Sequence, residues 1–188
     1  MKYYFKKSIS GFTYSDLVYY LATRCDLISF TVPYFDWKKD CDNPEVHDEE
    51  IQGYLDLVDD FIEDIKSYII IDEYGCEYFG QRCSHMMRII GVELNENTYP
   101  IFMAANEFAD WKFPNRVDDL CFFSKGKCVL RSISHENVCE IYTDSDFDIL
   151  LFKKMGVKIL KTPLQDEGYY LDYTLSFKNQ NTGDDFVS

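Results

Sequence analysis

The sequence predicts an α+β fold, a single domain with a mainly antiparallel sheet and about four helices packed on it, and three observations carry that prediction. Apolar patterns of helical period and of strand period both occur, with no internal repeat and no linker between them. Residues 118–142 (DDLCFFSKGKCVLRSISHENVCEIY) read as two strands joined by a short Gly-containing turn and followed by a third, the signature of an antiparallel meander. Aromatic residues make up 17% of the 188-residue chain, enough for a core that stands without disulfide or metal staples. The domain is expected over residues 1–177, and 178–188 read as a polar, frayed tail.

Taken in order, residues 3–5 open as a strand. Thr13-Tyr14-Ser15-Asp16 then has the form of a capping box, followed by Tyr14, Leu17, Val18 and Leu21 at helical spacing in a helix that ends near Arg24. Residues 27–32 (LISFTV) are β-branched and aromatic and stop at Pro33, as a strand would. Asn43-Pro44 offers an N-cap side chain and a proline at the first helical position. Beyond it Ile51, Tyr54, Leu55, Val58, Phe61, Ile62 and Ile65 form one apolar stripe of an amphipathic helix. Residues 67–74 (SYIIIDEY) read as a buried strand ended by Gly75. Residues 85–90 fit a short helix and a strand equally well, with strand preferred around 91–94.

Thr98-Tyr99-Pro100 opens a helix with Ile101, Phe102, Ala105, Phe108 and Ala109 inward, and residues 111–115 form a loop into the hairpin. The hairpin strands at 120–123 and 128–133 flank Ser124-Lys125-Gly126-Lys127, and 138–142 resumes after Ser134-His135-Glu136-Asn137; this region is expected at the centre of the sheet. Thr143-Asp144-Ser145-Asp146 caps a helix with Phe147, Leu150, Leu151 and Met155 on its buried face, Lys153 and Lys154 in its last turn, and Gly156 as the left-handed C-cap residue. Residues 157–160 are a short strand, and Tyr169, Leu171, Tyr173, Leu175 and Phe177 alternate as a half-exposed one.

Charge separates the functional classes. With 33 acids against 19 bases the net charge is −14, which argues against direct binding of nucleic acid or of an anionic membrane, since both need a basic footprint. The acidity is local. Residues 40–65 hold eleven acids (Asp40, Asp42, Glu45, Asp48, Glu49, Glu50, Asp56, Asp59, Asp60, Glu63 and Asp64) and no Lys or Arg, so the rest of the chain nets only −3. On the outer helix face Asp56/Asp60, Asp60/Asp64 and Asp59/Glu63 are like-charged i,i+4 pairs, each destabilising by about 0.2–0.5 kcal/mol. Acids near a helix C-terminus also oppose the macrodipole.

Stability does not select such a face, and the expectation is a non-enzymatic protein that neutralises a basic protein partner, a toxin or a nucleic-acid-binding protein. The expected partner-binding residues are Asp48, Glu49, Asp56, Asp59, Asp60, Glu63 and Asp64, with Tyr34, Phe35 and Trp37 as aromatic anchors. A DNA-mimicking inhibitor of phage or host origin, its carboxylates standing in for phosphates, is a variant of the same class. A merely solvated charged face is the plainer alternative.

Catalytic signals are thinner. His135 and Glu136 lie in a connection near Asp118 and Asp119, and an imidazole with carboxylates is the material of a general base or a metal site in a small enzyme using His135, Glu136 and Asp119. The simpler reading has His135 and Glu136 bonding backbone groups in a tight turn. Cys83 and His85, two apart, share a face of a strand, but nothing marks an oxyanion hole; His47 sits solvated in the acidic segment. The glycine-rich nucleotide motifs, G-x-S-x-G and H-E-x-x-H are absent, so no cofactor or metal is expected.

Seven cysteines at irregular spacing without a C-x-x-C pair suggest reduced thiols, with Cys121, Cys128 and Cys139 as small buried hydrophobes. No apolar run is long enough to cross a bilayer, and residues 1–7 lack the apolar stretch of a signal peptide. A cytoplasmic location is expected.

The phrase Pro114-x-x-x-Asp118-Asp119-Leu120-Cys121-Phe122-Phe123, then Gly126, then Ser132-Ile133-Ser134-His135-Glu136, resembles a pattern in small uncharacterised bacterial proteins, a P-[ED]-D-L-x-F phrase, a turn and an S-x-x-H-E phrase. The resemblance covers residues 111–142, and this chain has Asp118 where the pattern more often has Glu. It implies a bacterial origin and a shared sheet, and no established activity goes with it. In size and acidic composition the chain is also similar to immunity proteins of bacterial toxin systems.

Overall fold

A computed structural model describes residues 2–5, 9–33, 48–78 and 81–161. Its strands are β1 (Lys2–Phe5), β2 (Leu27–Pro33), β3 (Ile69–Tyr78), β4 (Gln81–Glu93), β5 (Asp118–Ser124), β6 (Lys127–Ile133), β7 (Val138–Tyr142) and β8 (Ile159–Lys161). Its helices are α1 (Phe12–Ala22), α2 (Asp48–Ile65), α3 (Tyr99–Phe102) and α4 (Asp146–Lys154). The strands form one sheet in the order β3-β4-β2-β5-β6-β7-β1-β8 with antiparallel pairing throughout. The chain therefore adopts the α+β single-sheet fold that its sequence predicts, with the β5–β6 hairpin in the middle.

The hairpin closes where it must. Lys125 (φ 51°) and Gly126 (φ 82°) both take left-handed backbone between Ser124 and Lys127, the conformation that matches the twist of a two-residue turn. The Asp26 carboxylate accepts the Lys125 N–H at 3.1 Å through both oxygens and holds the turn against the start of β2.

Strand alternation then sorts the core. Ile28, Phe30, Val32, Ile90, Val92, Leu120, Phe122, Leu130 and Ile141 point to the face where Tyr14, Leu17, Val18 and Leu21 of α1, Tyr54, Val58 and Ile65 of α2 and Phe152 of α4 pack. Leu27, Ile89, Cys121, Phe123, Cys128 and Tyr142 form a smaller cluster on the opposite face. Cys121, Cys128 and Cys139 are buried free thiols, as expected, and burial pushes the Cys128 and Cys139 thiols up. A polar thread crosses the main core: Trp111 Nε1–H donates to Tyr14 Oη at 2.7 Å, and the Tyr14 hydroxyl donates to the Phe102 carbonyl.

Several local expectations are corrected. The Thr13 capping box does not form. Helix α1 starts at Phe12 with Gly11 as N-cap at φ 61° and no side-chain cap bond, because the Gly11 N–H is held by the Asn106 carbonyl at 2.8 Å and places Thr13 already inside the helix. Strand β3 does not stop at Gly75 and is not buried: it is outermost among the described strands on its side of the sheet, with Asp72, Glu73 and Tyr74 exposed. The ambiguous segment before residue 91 is strand, since β4 pairs with both β2 and β3.

The single helix expected from residue 98 is instead one turn, α3, and a separate 3-10 turn at Phe108–Asp110. Asp110 Oδ2 accepts the Asn106 and Glu107 N–H groups at 2.8 and 3.0 Å and re-starts the chain there. In α4, Ser145 is the cap, its Oγ accepting the Asp148 N–H, and Gly156 has φ 84° as expected. The buried face differs: Phe147 and Leu150 are 64% and 58% exposed, whereas Asp148 and Phe152 are buried. Asp148 accepts hydrogen bonds from Tyr20 on α1, Arg24 just past its end and Thr143 just past β7, and these donors turn the helix about its axis. The Asn43-Pro44 helix start, the alternating strand at 169–177 and the tail at 178–188 lie outside the described residues.

Candidate functional site

Helix α2 is laid on the core as its stripe requires. Ile51, Tyr54, Val58 and Ile65 are buried, while Leu55, Phe61 and Ile62 are partly buried against the same cluster. Asp56, Asp59, Asp60, Glu63 and Asp64 are all exposed. Asp56 accepts a 2.7 Å bond from Gln52, and Glu63 pairs with Lys66. Among the described residues, Asp59, Asp60 and Asp64 make no ion pair. Arg88 on β4 is committed to Asp72 by two 2.8 Å bonds and meets Asp59 only as a weaker charge. The helix therefore presents a row of largely uncompensated carboxylates.

Asp48 and Glu49 belong to α2, and their side chains lie outside the described ones. Tyr34, Phe35 and Trp37, the expected anchors, lie outside the described residues, as does His47.

Beside this face is a groove that the sequence did not announce. About 330 Å³ in volume, it is lined by Leu57, Phe61 and Asp64 of α2 and by Trp111, Asn115, Arg116 and Val117 of the loop before β5. Leu57 is 40% exposed. Its one sequence signal was an apolar residue standing off the helix stripe, among acids. The Arg116 guanidinium sits over the Trp111 ring, 5.0 Å from its centroid.

The second candidate is built by Asp118 and Asp119. Ser29 pairs with Cys121 but Thr31 pairs with Asp118, so β5 carries one residue more than β2 and bulges there, with Asp119 in left-handed backbone at φ 55°. The bulge aims the two neighbouring carboxylates at different partners. Asp118 Oδ1 accepts the Phe113 N–H at 2.7 Å, and Asp119 Oδ1 accepts the Ser134 N–H at 2.7 Å. Asp118 thus holds the loop before the hairpin and Asp119 the 3-10 turn Ser134–Glu136 after β6. The two halves of the Pro114…Asp118-Asp119-Leu120 and Ser132…His135-Glu136 pattern meet at this knot.

Burial pushes Asp118 up to about 7, against the opposing pull of the Phe113 N–H. Asp119 is raised by burial too, offset by the Ser134 N–H and then by the charges of His135 and Arg131. The structure brings His135 and Asp119 to one turn, but the His135 and Glu136 side chains stand outward, 71% and 59% exposed and 3.7 Å from each other. A raised, buried carboxyl is what a general acid has, and here its oxygen is engaged by a backbone amide.

Among the described residues no group of three or more His, Cys, Asp or Glu is placed to hold a metal ion, and no helix is long and apolar enough to cross a membrane. The side chains of Cys83 and His85 lie outside the described ones. No family model, no curated protein and no solved structure matches this chain.

Proposed function

We propose that the chain is a non-enzymatic acidic binding protein that neutralises a basic protein partner, in the manner of an immunity protein of a bacterial toxin. The observation that carries this reading is the outer face of α2, where Asp56, Asp59, Asp60, Glu63 and Asp64 are exposed on a helix anchored by Tyr54, Val58 and Ile65. Three like-charged i,i+4 pairs there oppose helix stability, which a partner rich in Lys and Arg would reverse. Electrostatic complementarity of this kind raises the association rate, and apolar anchors slow dissociation. Buried free thiols at Cys25, Cys121, Cys128 and Cys139 fit a reducing, cytoplasmic location.

The test compares the wild-type chain with a variant in which Asp56, Asp59, Asp60 and Glu63 are changed to Lys. Each is used to capture proteins from the host's lysate and secreted fraction at low and at high salt. A single basic protein held by the wild type at low salt, weakened at high salt and lost by the variant is the expected outcome. Equal retention of that protein by the variant at low salt would overturn the proposal.

A further inference from the structure

The groove beside α2 has the form of an anchor site. We infer that it receives one aromatic side chain of the basic partner, from a segment in which that residue is flanked by Lys or Arg; this rests on the acidic-face reading above and names the contact that completes it.

The groove adjoins the acids by helix geometry. Leu57 and Phe61 are i,i+4 neighbours, Leu57 and Asp60 are i,i+3 neighbours, and Asp60 and Asp64 are again i,i+4, so the apolar wall and the carboxylates share one edge of the helix. Asp60 and Asp64 make no ion pair among the described residues. A cationic residue beside the inserted side chain would find them within one helical turn.

The guest itself is apolar for two reasons. The apolar surface offered to it is Leu57, 40% exposed, and the half-buried Phe61, over a floor closed by the buried Trp111 and Val117, and at the rim Arg116 already lies over the Trp111 ring. A Lys or Arg head pushed into the groove would leave Leu57 and Phe61 uncovered and meet the like charge of Arg116, whereas an aromatic ring covers that apolar surface, offers the guanidinium a second face and leaves Asp64, also in the lining, to the flanking Lys or Arg. The volume, about 330 Å³, is at the small end of ligand pockets and suits one large side chain rather than an extended ligand. An aromatic anchor in a pocket, rimmed by charge pairs, is also the usual distribution of energy at protein interfaces.

The probes are two capped pentapeptides, Lys-Lys-Phe-Lys-Lys and Lys-Lys-Gly-Lys-Lys, titrated into the full chain at about 20 mM salt, where screening is weak. Binding is followed by NMR at the Leu57 methyls and the Phe61 ring protons. The Phe peptide is expected to bind about tenfold tighter than the Gly peptide and to shift both signals. Leu57→Ser, at a position exposed enough to leave the fold intact, is expected to abolish that preference and leave the Gly peptide unaffected. Equal affinities for the wild type, or a preference that survives Leu57→Ser, would overturn the groove assignment while the acidic face stands. Failure of both peptides to bind would overturn both.

Discussion

Asp118 and Asp119 are adjacent in sequence and do different work because one bulge separates their directions. Asp118, raised to about 7 by burial, is protonated in the fold at pH values where the unfolded chain, near 3.9, has already lost the proton. Between about pH 4 and pH 7 the folded state therefore binds more protons, and stability from this group falls as pH rises through that window. Asp118→Asn keeps an oxygen for the Phe113 N–H and removes the titration. The variant is expected to match the wild type near pH 4 and to exceed it by on the order of 2 kcal/mol at about pH 8, read from urea unfolding. A difference that stays constant with pH would refute the assignment. Asp119→Ala removes the acceptor for the Ser134 N–H and leaves a Cβ-bearing residue at φ 55°, so it should cost about 2–4 kcal/mol. Asn, which tolerates that backbone, should cost much less. The carboxylates themselves were visible in the sequence, but a bulge has no local signature strong enough to say that each binds a backbone amide.

At the level of elements, α2 was read correctly because its stripe repeats over four turns and no neighbour contests it. Its outer face makes a prediction of opposite sign to most mutations. Asp60→Lys removes two like-charged pairs and should stabilise the protein by about 0.4–1 kcal/mol, measurable by thermal or urea unfolding. Destabilisation would mean that Asp60 has a structural partner. Strand β4 shows the reverse sensitivity. A Cβ on Gly91 would stand 2.9 Å from the Ile71 Cβ, so Gly91→Ala must push β3 aside and is expected to cost about 1–3 kcal/mol. Unchanged stability would show that β3 yields freely. Helix α4 explains where periodicity failed: Phe147 and Leu150 carried the apolar signal, but a nine-residue helix has few positions to vote, and three donors to Asp148 outweighed them. The helix expected from residue 98 broke for a similar reason, because Asp110 captured the Asn106 and Glu107 amides.

For the molecule as a whole, a net charge of −14 concentrated on one segment means self-repulsion that salt relieves. Raising NaCl from about 20 to about 300 mM should raise the melting temperature of the wild type, and by less in the variant with Lys at positions 56, 59, 60 and 63. Equal shifts would place the repulsion elsewhere in the chain. The sequence by itself determined the class of fold, the central hairpin, the core face of α1 and α2 and the acidic face, because each is written in near-neighbour chemistry: alternation, helical period, a Gly in the turn. Only the tertiary structure decided that β3 lies outermost among the described strands, that α4 buries a carboxylate, that Asp118 and Asp119 are knots for two loops, and that Leu57 and Trp111 line one groove. Most of these depend on partners far along the chain, such as Ser134, 15 residues from Asp119, and Tyr20, 128 from Asp148, where no local pattern reports the distance at which two segments will meet.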